Sequence, residues 1–298
     1  MIKYIDPNIE RKSKIIKNSI DTIPETNIPL PSLIEISDSG TCNRSCSFCP
    51  RSDPSYLDEK TFIDEKLNYS LCEQLSKYNY KGIFAYSGFN EPLLNKNIYG
   101  NIKIARKFLP ESRIEIVTNG DVLNKNRLKK LFESGLTLIH ISVYDGPDDA
   151  KKFLDLCKSI GLKEKKQFMI RHRYLGADQD FGLTLSNRSG MMKNAEFKIE
   201  PLKTSVKKPC FYPSYTFFMD YNGDVLMCSH DWGKKNILGN LNKSSFYEIW
   251  TSQLSKVSRK SLIKGDRNFS PCNVCDVQGD LIGKHHGAAW KKYYGEKV

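Results

Sequence analysis

The stretch Cys42-Asn43-Arg44-Ser45-Cys46-Ser47-Phe48-Cys49-Pro50 constrains this chain more than any other. Three thiols fall within eight positions, spaced C-x3-C-x2-C, directly after an apolar run that suits a β-strand. Thiols crowded onto one short loop read as ligands rather than as three unrelated structural cysteines. Thiolate-only ligation selects soft metals, which means zinc or an iron-sulfur cluster. Three cysteines would leave zinc short of a fourth ligand. They would leave one iron of a four-iron cluster without a protein ligand and open to another molecule. A chance grouping is the third reading.

Residues 1–31 mix isoleucine with Lys and Asn, are interrupted by Pro7 and Pro24, and end in Pro29-Leu30-Pro31. They read as an N-terminal arm whose last residues enter the fold extended. Beyond it the period alternates. Strands are predicted over 33–37, 82–86, 114–118, 137–144 and 167–174, and helices over 64–79, 98–109, 125–133 and 147–160. Leu67, Leu71, Leu75 and Tyr78 give the first helix its apolar spacing, and the last opens on Pro147 and closes at Gly161. Strand-helix alternation implies an α/β fold: a partial (β/α) TIM-like barrel of about five to six parallel strands joined by right-handed crossovers. The cysteine loop falls where such folds carry catalytic groups, at the carboxyl end of a strand.

Strand alternation sorts the lumen. Leu138, His140, Ser142 and Tyr144 share one face of the fourth strand, opposite Ile139, Ile141 and Val143, so the polar face should line the barrel interior. On the fifth strand Arg171 and Arg173 share a face, suited to clamp a carboxylate or phosphate or to pair with a core acid such as Glu35. His140 reads first as a satisfied core histidine. Cys72 and Cys157, each among leucines on a predicted helix, read as small buried hydrophobes.

Residues 175–209, with Gly176, Gly182 and the run Asn187-Arg188-Ser189-Gly190, read as a connector. Its turn at 187–190 either links two units or approaches the active site. Cys210 then opens a second constellation. Residues 214–228 read as a hairpin around Asn222-Gly223, which returns Cys228 toward Cys210. A helix over 244–256 carries Phe246, Ile249, Trp250 and Leu254 on one stripe, and Cys272-Asn273-Val274-Cys275 forms a C-x2-C knuckle. Four thiols suit a structural zinc as well as a second cluster. Nine cysteines, an odd number mostly in clusters, fit metal ligation in a reducing compartment better than a disulfide framework.

On these residues the chain resembles the radical S-adenosylmethionine (SAM) enzymes, in which the open iron is chelated by SAM. The resemblance implies a SAM-binding [4Fe-4S] cluster on Cys42, Cys46 and Cys49. Gly88, Asn90, Glu91 and Pro92 stand at the family's Gly-Gly-Glu-Pro position, although Phe89 and Asn90 replace the two glycines. Thr118 and Asn119, with Gly120, and Ser142 in the run 141–146 resemble strand-end motifs near the SAM ribose and carboxylate. Residues 210–275 resemble the twitch domain, a shortened SPASM domain built as a hairpin plus helix. It implies one auxiliary [4Fe-4S] cluster on Cys210, Cys228, Cys272 and Cys275, and no cysteine follows to hold another. Full ligation leaves that cluster electron transfer or structural support. The implied division is 1–31 arm, 32–190 radical SAM core, and 191–298 twitch domain with tail. The architecture resembles twitch-bearing family members that oxidise a secondary alcohol of an aminocyclitol.

Charge bears on the partner. The net +12 is confined to one half: residues 1–150 carry 20 Lys/Arg and 20 Asp/Glu, whereas 151–298 carry 26 and 14. Solvated surface lysine is the plain reading. The sharper one is an anionic partner: a phosphorylated or nucleotide-linked small molecule, an acidic electron donor, or nucleic acid. Nucleic acid is the least supported, since no stacking platform or recognition module is visible. No apolar run approaches membrane-spanning length and no leader is visible, so a cytoplasmic protein without a membrane partner is expected.

The function expected is that of a radical SAM oxidoreductase, dehydrogenase-like, with the auxiliary cluster as electron acceptor. Arg171, Arg173 and Arg188 are its candidate substrate contacts, and an external donor such as flavodoxin or ferredoxin supplies electrons. Two rivals are radical cross-linking or epimerisation of a ribosomal peptide, for which the short arm leaves no room for a leader-recognition domain, and a zinc-stabilised binding protein.

Overall fold

The arm ahead of the first strand contains a helix, α1 (Pro7–Lys17), seen in a computed structural model that describes residues 7–17, 20–174, 186–194 and 198–296. Gly176 and Gly182 of the expected connector lie outside the described residues. Five strand-helix repeats follow in part. They are β1 (Leu33–Ser37), α2 (Glu65–Ser76), β2 (Ile83–Tyr86), α3 (Ile98–Phe108), β3 (Arg113–Thr118), α4 (Lys125–Glu133), β4 (Leu138–Val143), α5 (Pro147–Lys158) and β5 (Phe168–His172). Local chemistry sets their starts. Asp64 caps α2 by accepting from the Lys66 amide at 2.9 Å, and Asn124 caps α4 by accepting from Arg127 N at 2.9 Å. Pro147, Asp148 and Asp149 occupy the first turn of α5, where a missing N–H costs nothing and negative charge meets the helix dipole.

The hairpin strands β6 (Thr216–Asp220) and β7 (Asp224–Leu226) are followed by β8 (Ile237–Asn240), and these eight strands form one sheet in the order β8-β7-β6-β1-β2-β3-β4-β5, apart from a small two-stranded sheet of Ser39–Gly40 and Glu59–Phe62. β6 pairs parallel with β1, from Leu33 opposite Thr216 to Ser37 opposite Asp220. The sixth parallel strand, absent from the expected repeats, therefore comes from the hairpin. β1 is buried along almost its whole length, and as an edge it would carry a row of unpaired amides; β6 covers that row. β7 and β8 continue the sheet antiparallel.

The helix expected over 244–256 is two helices, α6 (Phe246–Thr251) and α7 (Gln253–Ile263). Ser252 adopts ψ 156° and its hydroxyl accepts from Ser255 N at 3.1 Å, so it ends one helix and caps the next. Phe246, Ile249 and Trp250 are buried as the stripe requires, whereas Leu254, beyond the break, is exposed. Behind the hairpin, buried Arg259 lies between the Trp250 and Trp290 rings, 3.9 and 4.0 Å from their centroids, and its Nε donates to Pro213 O at 2.8 Å. Trp250 Nε1 donates to Pro29 O at 2.8 Å and Trp290 Nε1, on α8 (Lys284–Tyr293), to Ser214 O at 3.0 Å. Entry segment, hairpin and C-terminal helices are thus locked onto one core. No helix among the described residues is long and apolar enough to cross a membrane.

Candidate active site

The loop after β1 folds back on itself through Cys49 N donating to Cys46 O and Ser52 N to Cys49 O, both at 2.9 Å. Cys42, Cys46 and Cys49 are half-buried and line one cavity of about 150 Å³ together with Gly88, Asn90, Glu91, Thr118, Asn119 and Ser142. Pro92 does not line it; it opens the short helix Pro92–Leu94 just behind. Burial, then the charges of Cys49 and Cys42, pushes the Cys46 thiol up to about 11. A cationic metal reverses that penalty, so the crowded thiols fit a metal group better than they fit one another.

Side chains other than the three thiols hold the loop. Arg44 bridges Asp121, at 2.6 Å, and Asp145, at 2.5 Å, the residues that follow β3 and β4. Asn43 Oδ1 accepts from Asn119 Nδ2 at 2.8 Å. Arg51 donates to Phe89 O at 2.6 Å and Gly40 O at 2.8 Å.

Glu91 is 1 % exposed, and its carboxylate accepts from Thr118 Oγ1 at 2.6 Å, Asn119 N at 2.7 Å and Leu93 N at 2.9 Å. It ties the end of β2 to the end of β3. Burial pushes it up to about 7 despite these bonds. Asp38, which sequence reasoning passed over, is equally buried and lifted to about 7. It accepts from Asn90 and, at 2.9 Å, from Asn95 Nδ2. Phe89 packs against Trp232 with centroids 4.5 Å apart and against Phe218 at 4.9 Å. Its place in the glycine motif therefore has a packing reason: it joins the second strand-end loop to the hairpin unit.

Cys210, Cys228, Cys272 and Cys275 line a second, small cavity walled by Pro213, Met227, Leu262 and Val277. Burial, then the charges of Cys272, Cys210 and Cys275, pushes Cys228 well above the usual thiol range. A Cβ at Gly279 would collide with Cys210 Sγ, which explains a glycine there. Arg267 donates to Lys208 O and Pro209 O at 3.0 Å and to Val277 O at 2.8 Å, bracing the backbone on both sides of the cage. Four convergent thiols in an apolar shell fit a fully ligated metal group.

A third cavity, about 450 Å³, lies between these two. It shares Phe48, Ser142, Tyr144, Arg188 and Trp232 with the three-thiol cavity, and Tyr212, His230 and Val277 with the four-thiol cage. Arg171, Arg173 and Arg188 all line it, and Arg171 Nη1 donates to Ser142 Oγ at 3.5 Å. Arg188 and Ser189 both adopt positive φ, 47° and 54°. This strained turn is pinned by buried Asn187, whose Nδ2 donates to Val274 O at 2.7 Å and Glu200 O at 3.0 Å, and whose amide donates to Asp276 at 3.0 Å. Of the two readings of the 187–190 turn, the structure favours the approach to the cavities. His140 lies 2.9 Å from Glu115 Oε2, and burial holds it down to about 4, a neutral core histidine. Tyr212, His230 and Trp232 carried no signal in the sequence beyond their nearness to cysteines.

The family model described as the Radical SAM superfamily matches residues 36–171, and SPASM, described as an iron-sulfur cluster-binding domain, matches 210–276. The S-adenosyl-L-methionine-dependent 2-deoxy-scyllo-inosamine dehydrogenase of Niallia circulans is 30% identical over 251 residues, covering 83% of this chain and 94% of that protein. The chain belongs to the radical SAM superfamily. It is a radical SAM oxidoreductase with an auxiliary-cluster domain, and its cofactors are a SAM-binding [4Fe-4S] cluster, an auxiliary [4Fe-4S] cluster and SAM. Among solved structures, BtrN in complex with AdoMet and 2-DOIA aligns with a TM-score of 0.70 at 29% identity, covering 84% of this chain and 94% of that one. Native anSMEcpe with bound AdoMet aligns at 0.53 and 13% identity, covering 88% and 96%, and shares the fold.

Proposed function

We propose that this enzyme oxidises a secondary alcohol of a sugar or cyclitol-like small molecule, with Cys42, Cys46 and Cys49 holding the SAM-binding cluster and Cys210, Cys228, Cys272 and Cys275 the auxiliary one. When bound, the cluster at Cys42, Cys46 and Cys49 with SAM would supply the radical chemistry that removes a hydrogen atom from the carbinol carbon, and the cluster at Cys210, Cys228, Cys272 and Cys275 would take the remaining electron as the hydroxyl proton is released to water. The protein's own part is placement and exclusion of water.

Gly88, Asn90, Glu91, Pro92, Thr118, Asn119 and Ser142 are the proposed SAM contacts. Glu91 acts by fixing the 118–119 backbone, and Asn90 is held in turn by Asp38. Phe48 and Tyr144, stacked at 5.5 Å, form an apolar wall shared by the first and third cavities. Arg171, Arg173 and Arg188 are the proposed substrate contacts. Division into arm (1–31), core (32–190) and twitch domain (191–298) remains our functional division, with the twitch hairpin sharing the core sheet through β6. An acidic donor protein such as flavodoxin or ferredoxin is the proposed reductant.

The observation that carries this reading is the 450 Å³ cavity with walls in common with both thiol sites, a size suited to a small molecule. The similarity to a dehydrogenase over nearly that protein's whole length supports an alcohol as the group attacked; peptide modification finds no such support. Anaerobic reconstitution should load about eight irons per chain, release 5'-deoxyadenosine from SAM, and yield a product lacking two hydrogens. A cross-linked or epimerised peptide as product would overturn the substrate class, and absence of 5'-deoxyadenosine would overturn the cysteine assignments.

A further inference from the structure

We infer that Glu35 is a specificity-determining contact of the third cavity, where one of its carboxylate oxygens accepts a hydrogen bond from an O–H or N–H group on the substrate ring. The inference rests on the proposed oxidation of a sugar or cyclitol-like molecule in that cavity, and deepens it by naming a side chain that reads the ring. Glu35 sits in the middle of β1 between Ile34 and Ile36, both fully buried. Its partners in register are Ala85 on β2 and Phe218 on β6, whose side chains offer it no hydrogen bond. Strand alternation puts Leu33 and Glu35 on one face, and both line the cavity. A carboxylate in such a strand costs free energy unless a donor meets it, and an apolar side chain would pack there without that cost.

The protein itself meets half of this carboxylate. Ser87 Oγ, at the end of β2, donates to Oε1 at 2.5 Å and fixes its direction. Oε2 accepts no hydrogen bond among the described residues, and Glu35 makes no ion pair with any of them, so the pairing with Arg171 or Arg173 expected of a core acid is not made. Nor is the side chain sealed in the interior, since Glu35 is half-buried and lines the cavity. Asp276, the other acid in the described lining, differs: both its oxygens lie 3.0 Å from Asn187 N. Two phenols of the same lining feel the charge of Glu35. Burial first, with Glu35 among the charges that add to it, holds Tyr212 and Tyr215 above the usual phenol range, so both keep their hydrogens. Tyr212 Oη is engaged with His230 Nε2 at 3.2 Å. The lining arginines donate and cannot accept, so Glu35 supplies the strong acceptor. A ring bearing hydroxyls or an amine satisfies Oε2, whereas a ring face without a donor leaves it unpaired on binding.

The test is calorimetric titration of the reconstituted, SAM-loaded enzyme with scyllo-inositol and with scyllo-inosamine, which differ by one hydroxyl replaced with an amine. Saturable binding of at least one probe is expected, weakened about tenfold or more by Glu35→Gln, which sets an amide N–H₂ in competition with the substrate donor, and with SAM affinity unchanged. A wild-type preference for scyllo-inosamine that vanishes in Glu35→Gln identifies the donor as an ammonium; equal losses for both probes identify it as a hydroxyl. Equal binding by wild type and variant overturns the inference and leaves the proposed oxidation intact. A wild type that releases 5'-deoxyadenosine from SAM yet binds neither probe overturns it as well, whereas failure to bind SAM or release 5'-deoxyadenosine sinks the parent reading. Should Glu35→Gln itself lose SAM binding, Glu35→Asp, which keeps the carboxylate but draws it back by one methylene, is held to the same tenfold criterion.

Discussion

Glu91 carries its weight in the site through neighbours rather than through a free carboxylate. Three donors converge on it, so Glu91→Gln turns an amide N–H₂ toward a donor and strips one acceptor from a buried cluster. We expect a loss of about 2 kcal/mol near pH 5, and at least a tenfold loss of SAM affinity as the 118–119 backbone loosens. The pH dependence has a definite sign. Burial lifts Glu91 from 4.5 to about 7, so the folded state keeps its proton through that window, and ionisation destabilises the wild type as pH rises across it. Gln does not ionise, so the stability gap between wild type and variant, measured by urea unfolding of cofactor-free protein, should narrow from pH 5 to pH 8. A widening gap would show that the site prefers the ionised carboxylate.

At the scale of elements, Phe89 links the second strand-end loop to the hairpin. Phe89→Ala removes a ring packed on Trp232 and Phe218 and should cost about 3 kcal/mol in chemical denaturation. A cost below about 1 kcal/mol would mean that the two units are coupled elsewhere. What was legible in the sequence follows from range. The alternating strands and helices carry their own period, and some carry their own start and stop signals within a few residues, as at Pro147 and Gly161. The Asn222-Gly223 turn and both cysteine sets were equally local. β6 pairing beside β1 was not legible, because residues 33–37 and 216–220 have no local feature that names the partner. The docking of α1 draws on the Arg11–Glu115 pair and on Ile16 buried in the core, contacts between distant segments. The break at Ser252 was masked because Leu254 continued the apolar stripe past a serine able to cap. Asp38 and Tyr212 likewise acquire meaning only from what folding sets beside them.

For the whole molecule, one continuous sheet makes the two thiol sites parts of a single body, and α8 closes that body over the start of β1. Gly283 and Gly287 let the helix approach closely: a Cβ at Gly287 would lie 2.6 Å from Phe211 Cδ1. His286, fully buried on the same helix, places Nε2 2.5 Å from Ser32 Oγ, one residue before β1. Burial, then the neighbouring charge of His285, holds His286 down from 6.5 to about 4. The folded state therefore needs the neutral ring. Stability tied to it is full above pH 6.5 and declines as pH falls toward 4, because the unfolded chain takes up the proton first. By pH 4.5 the loss should reach about 3 kcal/mol. His286→Gln keeps a polar partner for Ser32 and cannot titrate, so its urea stability should fall less between pH 7.5 and 4.5 than that of wild type. Other groups, including His140, titrate alike in both proteins and cancel in the difference. Parallel pH profiles for the two would mean that α8 opens before His286 protonates, and that the closure over β1 is weaker than the packing of the sheet beneath it.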